Sequence, residues 1–382
     1  MNRPNDRRDG PDPADPQRRK LIGAAGAGVF AATLGGMLGG GVAWAADRAP
    51  LRWGVVGTGG IANSMAPRIT EAAGAVLAAV SSRRMETAQE FAGKHDVPNA
   101  FDSWQDMIAS DTIDAVYIAT PTSVREEIGV AAANHGKHVL GEKPFASLPS
   151  LRRIVAACRE NGVGFMDGTH FPHLARTRRI QSEMAALVGR PWSVASAFQF
   201  DLTDTSNIRL RPDLEPYGAI GDAGWYNMRA AVEFLPEDVK LVASDAWLQR
   251  EPVNNAVVSG SGVMRFNDGS ASTWNCAFIS GTWVQDLRIT GPDGVLWIDD
   301  FVGARGDERY RVRRGRDTEE IAIPFSKHQA TSMFEDFTKM VHDPAMFEAS
   351  VRASERTQAW LDAAWESAIA NEERVVKPVL VG

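Results

Sequence analysis

From Leu51 to about Asp167, short apolar runs alternate with segments of helical spacing. Residues 51–56, 75–80, 115–118, 138–140 and 163–166 form such runs, the pattern of strands buried on both faces of a parallel sheet. Between them, stretches such as 85–92 and 123–134 space their apolar residues as helices do. Strand–helix alternation with short connections predicts a doubly wound parallel α/β sheet. Beyond a predicted helix over 174–187 the pattern changes. Residues 192–202, 242–249, 256–265, 270–278, 284–289 and 295–298 are rich in β-branched and aromatic side chains. Asn267-Asp268-Gly269 and Pro292-Asp293-Gly294 supply hairpin turns between them, which predicts an antiparallel sheet. Helical spacing returns at 331–341 and 353–370.

The N-terminus has a different character. Residues 1–17 are polar, with four Asp and several Pro, and cannot bury enough apolar surface to fold alone. Arg18-Arg19-Lys20 then leads into an uncharged stretch, 21–45, that ends in the small-x-small tripeptide Ala43-Trp44-Ala45. This is the layout of an export signal with a peptidase site. Its core is rich in Gly and Ala, which contribute little transfer free energy, so it makes a poor membrane anchor. Paired arginines before a weakly hydrophobic core resemble a twin-arginine signal, although Gln17 stands where Ser or Thr is usual and Leu21 where Phe is usual. A cleaved twin-arginine signal predicts a periplasmic protein and the export machinery as a partner. An uncleaved anchor is the alternative. The twin-arginine route carries folded chains that already hold a cofactor.

A length of 382 residues suits two domains, and 44% hydrophobic with 23% charged residues is ordinary for a globular protein. Lys plus Arg total 41 against 48 Asp plus Glu, a formal charge of −7, which argues against a nucleic-acid partner. Cys158 and Cys276 are too few for a disulfide framework, and no set of residues suggests a metal site.

The first strand runs into Gly57-Thr58-Gly59-Gly60-Ile61-Ala62, a G-x-G-x-x-A fingerprint that follows a strand and opens a helix. Gly57 permits the tight turn, Gly59 lets the backbone approach a pyrophosphate, and Ala62 lets helix and strand pack closely. The helix N-terminus offers N–H donors to phosphate. The second strand ends in Ser81-Ser82-Arg83-Arg84, with no carboxylate for a ribose 2′-hydroxyl. Hydroxyls and guanidinium groups there suit a 2′-phosphate, so NADP is expected; the alternative makes Arg83 and Arg84 a solvated helix start.

Two further elements carry chemistry. Glu142-Lys143-Pro144 follows the fifth strand, at the sheet edge where open α/β folds bind ligands. Asp222 and Tyr226, four residues apart, share one face of a helix. An ammonium beside the Tyr226 phenol would lower its pKa and make it a competent proton carrier. The structural alternative leaves Lys143 at the surface, Trp225 and Tyr226 in the core and Asp222 as a helix cap.

The fingerprint, Glu142-Lys143-Pro144 and Asp222-x-x-x-Tyr226 occur in the order and spacing of the Gfo/Idh/MocA oxidoreductases, which this chain resembles over 51–380. Tyr226, where many members have His, is similar to the glucose–fructose oxidoreductase and dimeric dihydrodiol dehydrogenase branch. The resemblance implies a Rossmann NADP-binding domain over 46–168. It also implies an α+β domain over 169–382 with an open-faced antiparallel sheet, for substrate binding and homo-oligomer formation. It further implies that Lys143 contacts nicotinamide and substrate, that Tyr226 is the acid/base and that Asp222 orients the substrate hydroxyl or Tyr226. Thr120, Pro121 and Glu142 would line the cofactor. Arg125 stands where members often carry His. His173, Arg176 and Arg209 are the substrate-side candidates, with His170 and Arg211 nearby; most tryptophans, Trp247 and Trp297 among them, are expected in the core.

The expected function is an exported, NADP-retaining sugar oxidoreductase that couples oxidation of an aldose to its lactone with reduction of a second sugar. The alternatives are a conventional aldose 1-dehydrogenase or dihydrodiol dehydrogenase, and a non-catalytic nucleotide sensor.

Overall fold

A computed structural model describes residues 49–372. The predicted export segment, 1–45, lies outside the described residues. Six parallel strands form the first sheet: β1 (Leu51–Val56), β2 (Ala75–Ser81), β3 (Asn99–Phe101), β4 (Ala115–Ile118), β5 (His138–Gly141) and β6 (Phe165–Asp167). Their order is β3-β2-β1-β4-β5-β6, so the chain reverses its direction of winding between β1 and β4. A crevice opens outside the carboxyl ends of strands at such a switch point. Helices α1 (Gly60–Glu71), α2 (Met85–His95), α3 (Trp104–Ala109), α4 (Arg125–Asn134) and α5 (Leu148–Glu160) connect the strands. Strand β3 has three residues and one polar position, too short to show in a hydropathy pattern.

After α6 (Ala175–Leu187) come β7 (Ser193–Asp201) and α7 (Gly218–Phe234). Then follow β8 (Leu241–Arg250), β9 (Val257–Phe266), β10 (Ala271–Ala277), β11 (Ile279–Thr290), β12 (Val295–Ile298), β13 (Glu308–Arg314) and β14 (Asp317–Ile323). Helices α8 (Gln329–Met340) and α9 (Pro344–Glu372) complete the described chain. The second sheet has the order β14-β13-β12-β11-β7-β10-β9-β8. It is mixed, mostly antiparallel, because β7 and β10 pair in parallel while the other pairs are antiparallel. The β13–β14 hairpin escapes the hydropathy pattern because its outward positions are charged. Tyr310 and Val312 point inward while Arg309 and Glu320, 2.9 Å apart, face solvent. Charge on an edge strand also discourages pairing with another chain.

The C-terminal α8 returns to the first sheet. Trp53 of β1 meets Phe334 at 5.1 Å and Phe337 at 4.8 Å between ring centroids, and Tyr117 of β4 meets Phe334 at 5.7 Å. Each such buried ring contributes about 1.5–3 kcal/mol. Helix α7 is buried on nearly every side, between the second sheet and α9. A polar rivet fixes it to the first sheet: Asp167, at the end of β6, pairs with Arg229 at 2.7 Å and accepts from Ser354 of α9 at 2.5 Å. Asp167 also accepts from the Thr169 amide at 3.0 Å, and Trp225 Nε1 donates to Thr169 Oγ1 at 2.6 Å. Neutral and cationic donors together tie α7, which carries Asp222 and Tyr226, to the edge of the nucleotide-type sheet.

Candidate active site

The turn after β1 has the form its glycines predict. Gly57 sits at φ 102°, and a Cβ there would lie 2.9 Å from the Ala119 carbonyl oxygen. Gly59 precedes α1 without a side-chain cap, and no atom lies within 4 Å of a Cβ placed on Gly59 or Gly60. The uncapped N–H groups therefore face open space, which suits phosphate oxygens. A cavity of about 710 Å³ runs along this edge, lined by Gly57–Gly59, Ser81–Arg83, Thr120 and Pro121, with Asp102 and Trp104 after β3. Ser82 Oγ lies 3.4 Å from Thr58 Oγ1 and 2.6 Å from Thr87 Oγ1, and Arg83 is exposed at the rim. Ala62 is fully buried against the sheet, whereas Ile61 lines the neighbouring cavity. The shape and the free backbone donors fit a dinucleotide.

The neighbouring cavity, about 600 Å³, shares Gly59, Ala119, Thr120 and Ile208 with the first. It holds Lys143, Asp222 and Tyr226 together. Lys143 Nζ donates to Asp222 Oδ1 at 2.6 Å and to the Asp222 carbonyl at 3.1 Å. Arg209 Nε donates to Asp222 Oδ2 at 2.7 Å, so one carboxylate bridges two cations. Burial alone would push Asp222 up, but Arg209 and Lys143 overcome it and hold the carboxyl well below its usual range. Lys143 Nζ lies over the Tyr226 ring, 4.8 Å from its centroid, so it meets the π face of the phenol.

The expected acidification of Tyr226 is not what the site produces. Burial pushes the phenol well above its usual pKa, and the nearby Glu142 and Asp222 carboxylates add to the rise. The Lys143 charge is already engaged by Asp222. Tyr226 is thus a firmly protonated phenol and, among the described residues, its hydroxyl is held by no hydrogen bond. Glu142, also on the cavity wall, accepts from Tyr117 Oη at 2.5 Å, and its burial pushes the carboxyl up.

Of the substrate-side candidates, only Arg209 reaches this cavity. His173 lies elsewhere, paired with Asp336 at 2.7 Å beside Arg178 in a separate surface cleft. Arg176 is fully buried and structural: Nη1 donates to the Arg309 carbonyl and Nη2 to the Asp300 carbonyl, both at 2.9 Å, and Asp300 also pairs with it. Arg211 pairs with Asp213 at 2.9 Å on the surface. Instead His170 lines the cavity, with Nε2 buried and unpartnered. Burial, and then the Lys143 charge, push it down to about 3, so the ring is neutral.

Arg125 takes a role of its own. Its Nε and Nη2 donate to the Thr120 carbonyl at 3.0 and 2.8 Å, and Nη1 to Thr122 Oγ1 at 2.8 Å and to the Pro144 carbonyl. It thereby joins the loops that follow β4 and β5. Residues that the sequence reading missed include Asn207, Ser206 and Asp204, and an aromatic wall of Phe198, Phe200 and Trp283. Trp247 and Trp297, expected in the core, lie instead on the outer face of the second sheet.

Residues 51–169 match a family model described as an oxidoreductase family with an NAD-binding Rossmann fold. A scyllo-inositol 2-dehydrogenase (NADP(+)) of Bacillus subtilis (strain 168) is 31% identical over 303 residues, 77% of this chain and 89% of the relative. The chain belongs to the Gfo/Idh/MocA oxidoreductase family. A second family relative, D-xylose 1-dehydrogenase (NADP(+)) 2 of Haloferax volcanii, is 30% identical over 64% of this chain and 75% of its own length. The fold is shared with the aldose–aldose oxidoreductase of Caulobacter crescentus, at a TM-score of 0.73 over 83% of this chain and 98% of that one, with 22% identity. Lys143, Asp222 and Tyr226 thus form the polar centre of a Gfo/Idh/MocA oxidoreductase.

Proposed function

We propose that this oxidoreductase uses NADP on sugars, acts in the periplasm after twin-arginine export, and keeps its nucleotide bound. In that reading it couples oxidation of an aldose to the lactone with reduction of a second sugar. The observation that carries the reading is a single polar cluster beside a protonated, unengaged phenol, in a cavity that opens into the dinucleotide cleft. The activities for which the two relatives are named, on inositol and xylose with NADP(+), support the substrate class and the nucleotide. The β2 end, with Ser82 and Arg83 and no carboxylate, favours NADP over NAD.

When bound, NADP supplies the hydride exchange by which one aldose leaves as a lactone and a second sugar leaves reduced. Lys143, oriented by Asp222, donates toward the oxygen on the reacting carbon. Tyr226 gives its phenolic proton to the sugar carbonyl being reduced and takes one back from the hydroxyl being oxidised. Arg209 and Asn207 are placed to hold ring hydroxyls.

Retention is supported by a strap, residues 202–217, that crosses the cleft. Ile208 and Leu214 line the nucleotide cavity, and Glu215 accepts from the Thr122 amide at 3.0 Å and from Thr122 Oγ1 at 2.5 Å. Arg125 stands 3.7 Å from Glu215, and Arg209 ties the strap to Asp222. An exported enzyme without free NADP around it requires such a closure. The outer face of the second sheet, with Trp247 52% and Val263 39% exposed, favours a homo-oligomer that covers it.

The test is to purify the mature protein and assay bound nucleotide, then follow nicotinamide absorbance during addition of single aldoses and aldose pairs. Bound NADP that is reduced by one sugar and reoxidised by another supports the coupled reaction. Complete loss of nucleotide on gel filtration, with turnover that requires added NADP, replaces it with a conventional aldose or dihydrodiol dehydrogenase.

A further inference from the structure

The reacting cavity has two unlike walls. One is polar, with Asp204, Ser206, Asn207, Arg209 and Asp222; the other is aromatic. Phe198 meets Tyr226 edge-on at 5.3 Å between centroids. Trp283 lies 6.1 Å from Phe198 and stacks on Phe200 at 5.2 Å with an interplanar angle of 19°. A continuous aromatic path therefore leads from the reacting phenol to the mouth of the cavity.

Trp283 is not a core residue, since 59% of it is exposed. A local irregularity in β11 puts it there. The strand pairs with β7 at Ile279↔Asp201, and the ladder resumes only at Val284↔Gln199. The residues between them bulge out, with Gly281 at φ 67° and Ser280 Oγ donating to the Thr282 carbonyl at 2.6 Å. Bulges commonly re-aim a side chain beside a functional site. Leaving an indole half in water forgoes burial worth about 25 cal/mol per Å² of apolar surface on the face that Phe200 does not cover.

We infer that Trp283, backed by Phe200, is the platform for the ring of the substrate. A sugar ring carries C–H groups on its faces and hydroxyls around its edge, so a cavity lined by both an aromatic surface and these polar groups matches it on both counts. The platform selects closed-ring sugars and cyclitols over open-chain polyols and short aldehydes. This inference rests on the sugar oxidoreductase reading above.

The test uses the full mature protein loaded with NADP, as wild type, Trp283→Ala and Trp283→Phe. Tryptophan fluorescence is titrated with D-glucose, D-xylose and glycerol, and the steady-state rate is measured for any of these that turns over. The platform predicts a glucose- or xylose-dependent fluorescence change in the wild type that Trp283→Phe lacks. It also predicts an apparent sugar affinity about five- to tenfold weaker in Trp283→Ala and mostly restored in Trp283→Phe. The loss should appear in KM, with kcat within about twofold, while the melting temperature and NADP affinity stay unchanged. Equal affinity for the ring sugars in all three proteins, or an equal loss for glycerol, overturns the platform. Because the fluorescence arm needs no turnover, a wild type that binds sugar but oxidises none refutes the proposed reaction and leaves the platform standing.

Discussion

The Asp167–Arg229 pair offers the sharpest test of how α7, the helix of Asp222 and Tyr226, is held. Asp167 is 1% and Arg229 8% exposed, so Arg229→Met leaves a buried carboxylate facing an apolar side chain. Breaking a buried pair from one side costs about 3–5 kcal/mol. The lower end applies, because Thr169 and Ser354 still donate to Asp167, and Glu233, released from its 2.6 Å contact with Arg229, can turn toward water. With an unfolding entropy of about 2.1 cal/mol/K per residue, 3 kcal/mol lowers the melting temperature of a chain this long by about 4 °C. The pH dependence carries the sign. In the wild type burial pushes Asp167 up, but Arg229, Ser354 and Thr169 hold it below its usual range. It therefore stabilises the fold above the unfolded pKa and loses that contribution as pH falls through the folded one. Without Arg229 burial prevails and the folded pKa rises above the unfolded value, so protonation stabilises the variant as pH falls. Differential scanning calorimetry between pH 7.5 and 4.5 should show the gap narrowing, and Asp167→Asn added to Arg229→Met should close most of it at neutral pH. A shift below 1 °C, or a gap that widens on acidification, would refute the reasoning.

Two other perturbations separate binding from chemistry. Lys143→Ala removes the donor at the reacting oxygen and should lower kcat about 10²–10³-fold with the fold intact by circular dichroism; unchanged turnover removes Lys143 from the chemistry. Glu215→Gln removes the charge that accepts both Thr122 donors and should speed NADP release about tenfold, measured by nucleotide fluorescence after dilution. An unaltered release rate would mean that the strap does not hold the nucleotide.

What the sequence made legible was local. The fingerprint at 57–62 acts through its own turn, and Asp222 and Tyr226 meet because a helix repeats every 3.6 residues. What stayed hidden depended on distant partners or on one unreadable turn. His170 and His173 are separated by a single 3-10 turn, Phe171–His173, that sends the first toward the cavity and the second toward Asp336. Arg176 is claimed by Asp300, Glu308 and Arg309, more than 120 residues away in sequence. The parallel β7–β10 pairing joins strands separated by α7, β8 and β9, and no hydropathy period encodes which strands become neighbours. Trp283 falls in the gap between the predicted strands 270–278 and 284–289, and nothing in that pattern shows the bulge that carries it to the cavity.

The protonated state of Tyr226 bears on which reaction the site performs well. A phenol raised well above its usual pKa keeps its proton at neutral pH, so the acid form is in place for a sugar carbonyl, but there is little phenolate to accept a proton. An enzyme that only oxidised sugars with fresh cofactor would have to lose that proton to solvent in every cycle. In a coupled cycle the carbonyl of one sugar takes the Tyr226 proton, and the hydroxyl of the next returns it before the phenolate meets water. Arg209, beside Asp222, is the cation that favours the intervening phenolate. The expected result is a sugar-to-sugar rate that is nearly flat from pH 6 to pH 9, roughly the range over which an unassisted phenol stays protonated. A single oxidation turnover by protein freshly loaded with NADP should instead rise toward tenfold per pH unit, following the phenolate fraction. Stopped-flow absorbance in both modes makes the comparison. Equal pH slopes in the two modes would mean that solvent, not the second sugar, receives the proton.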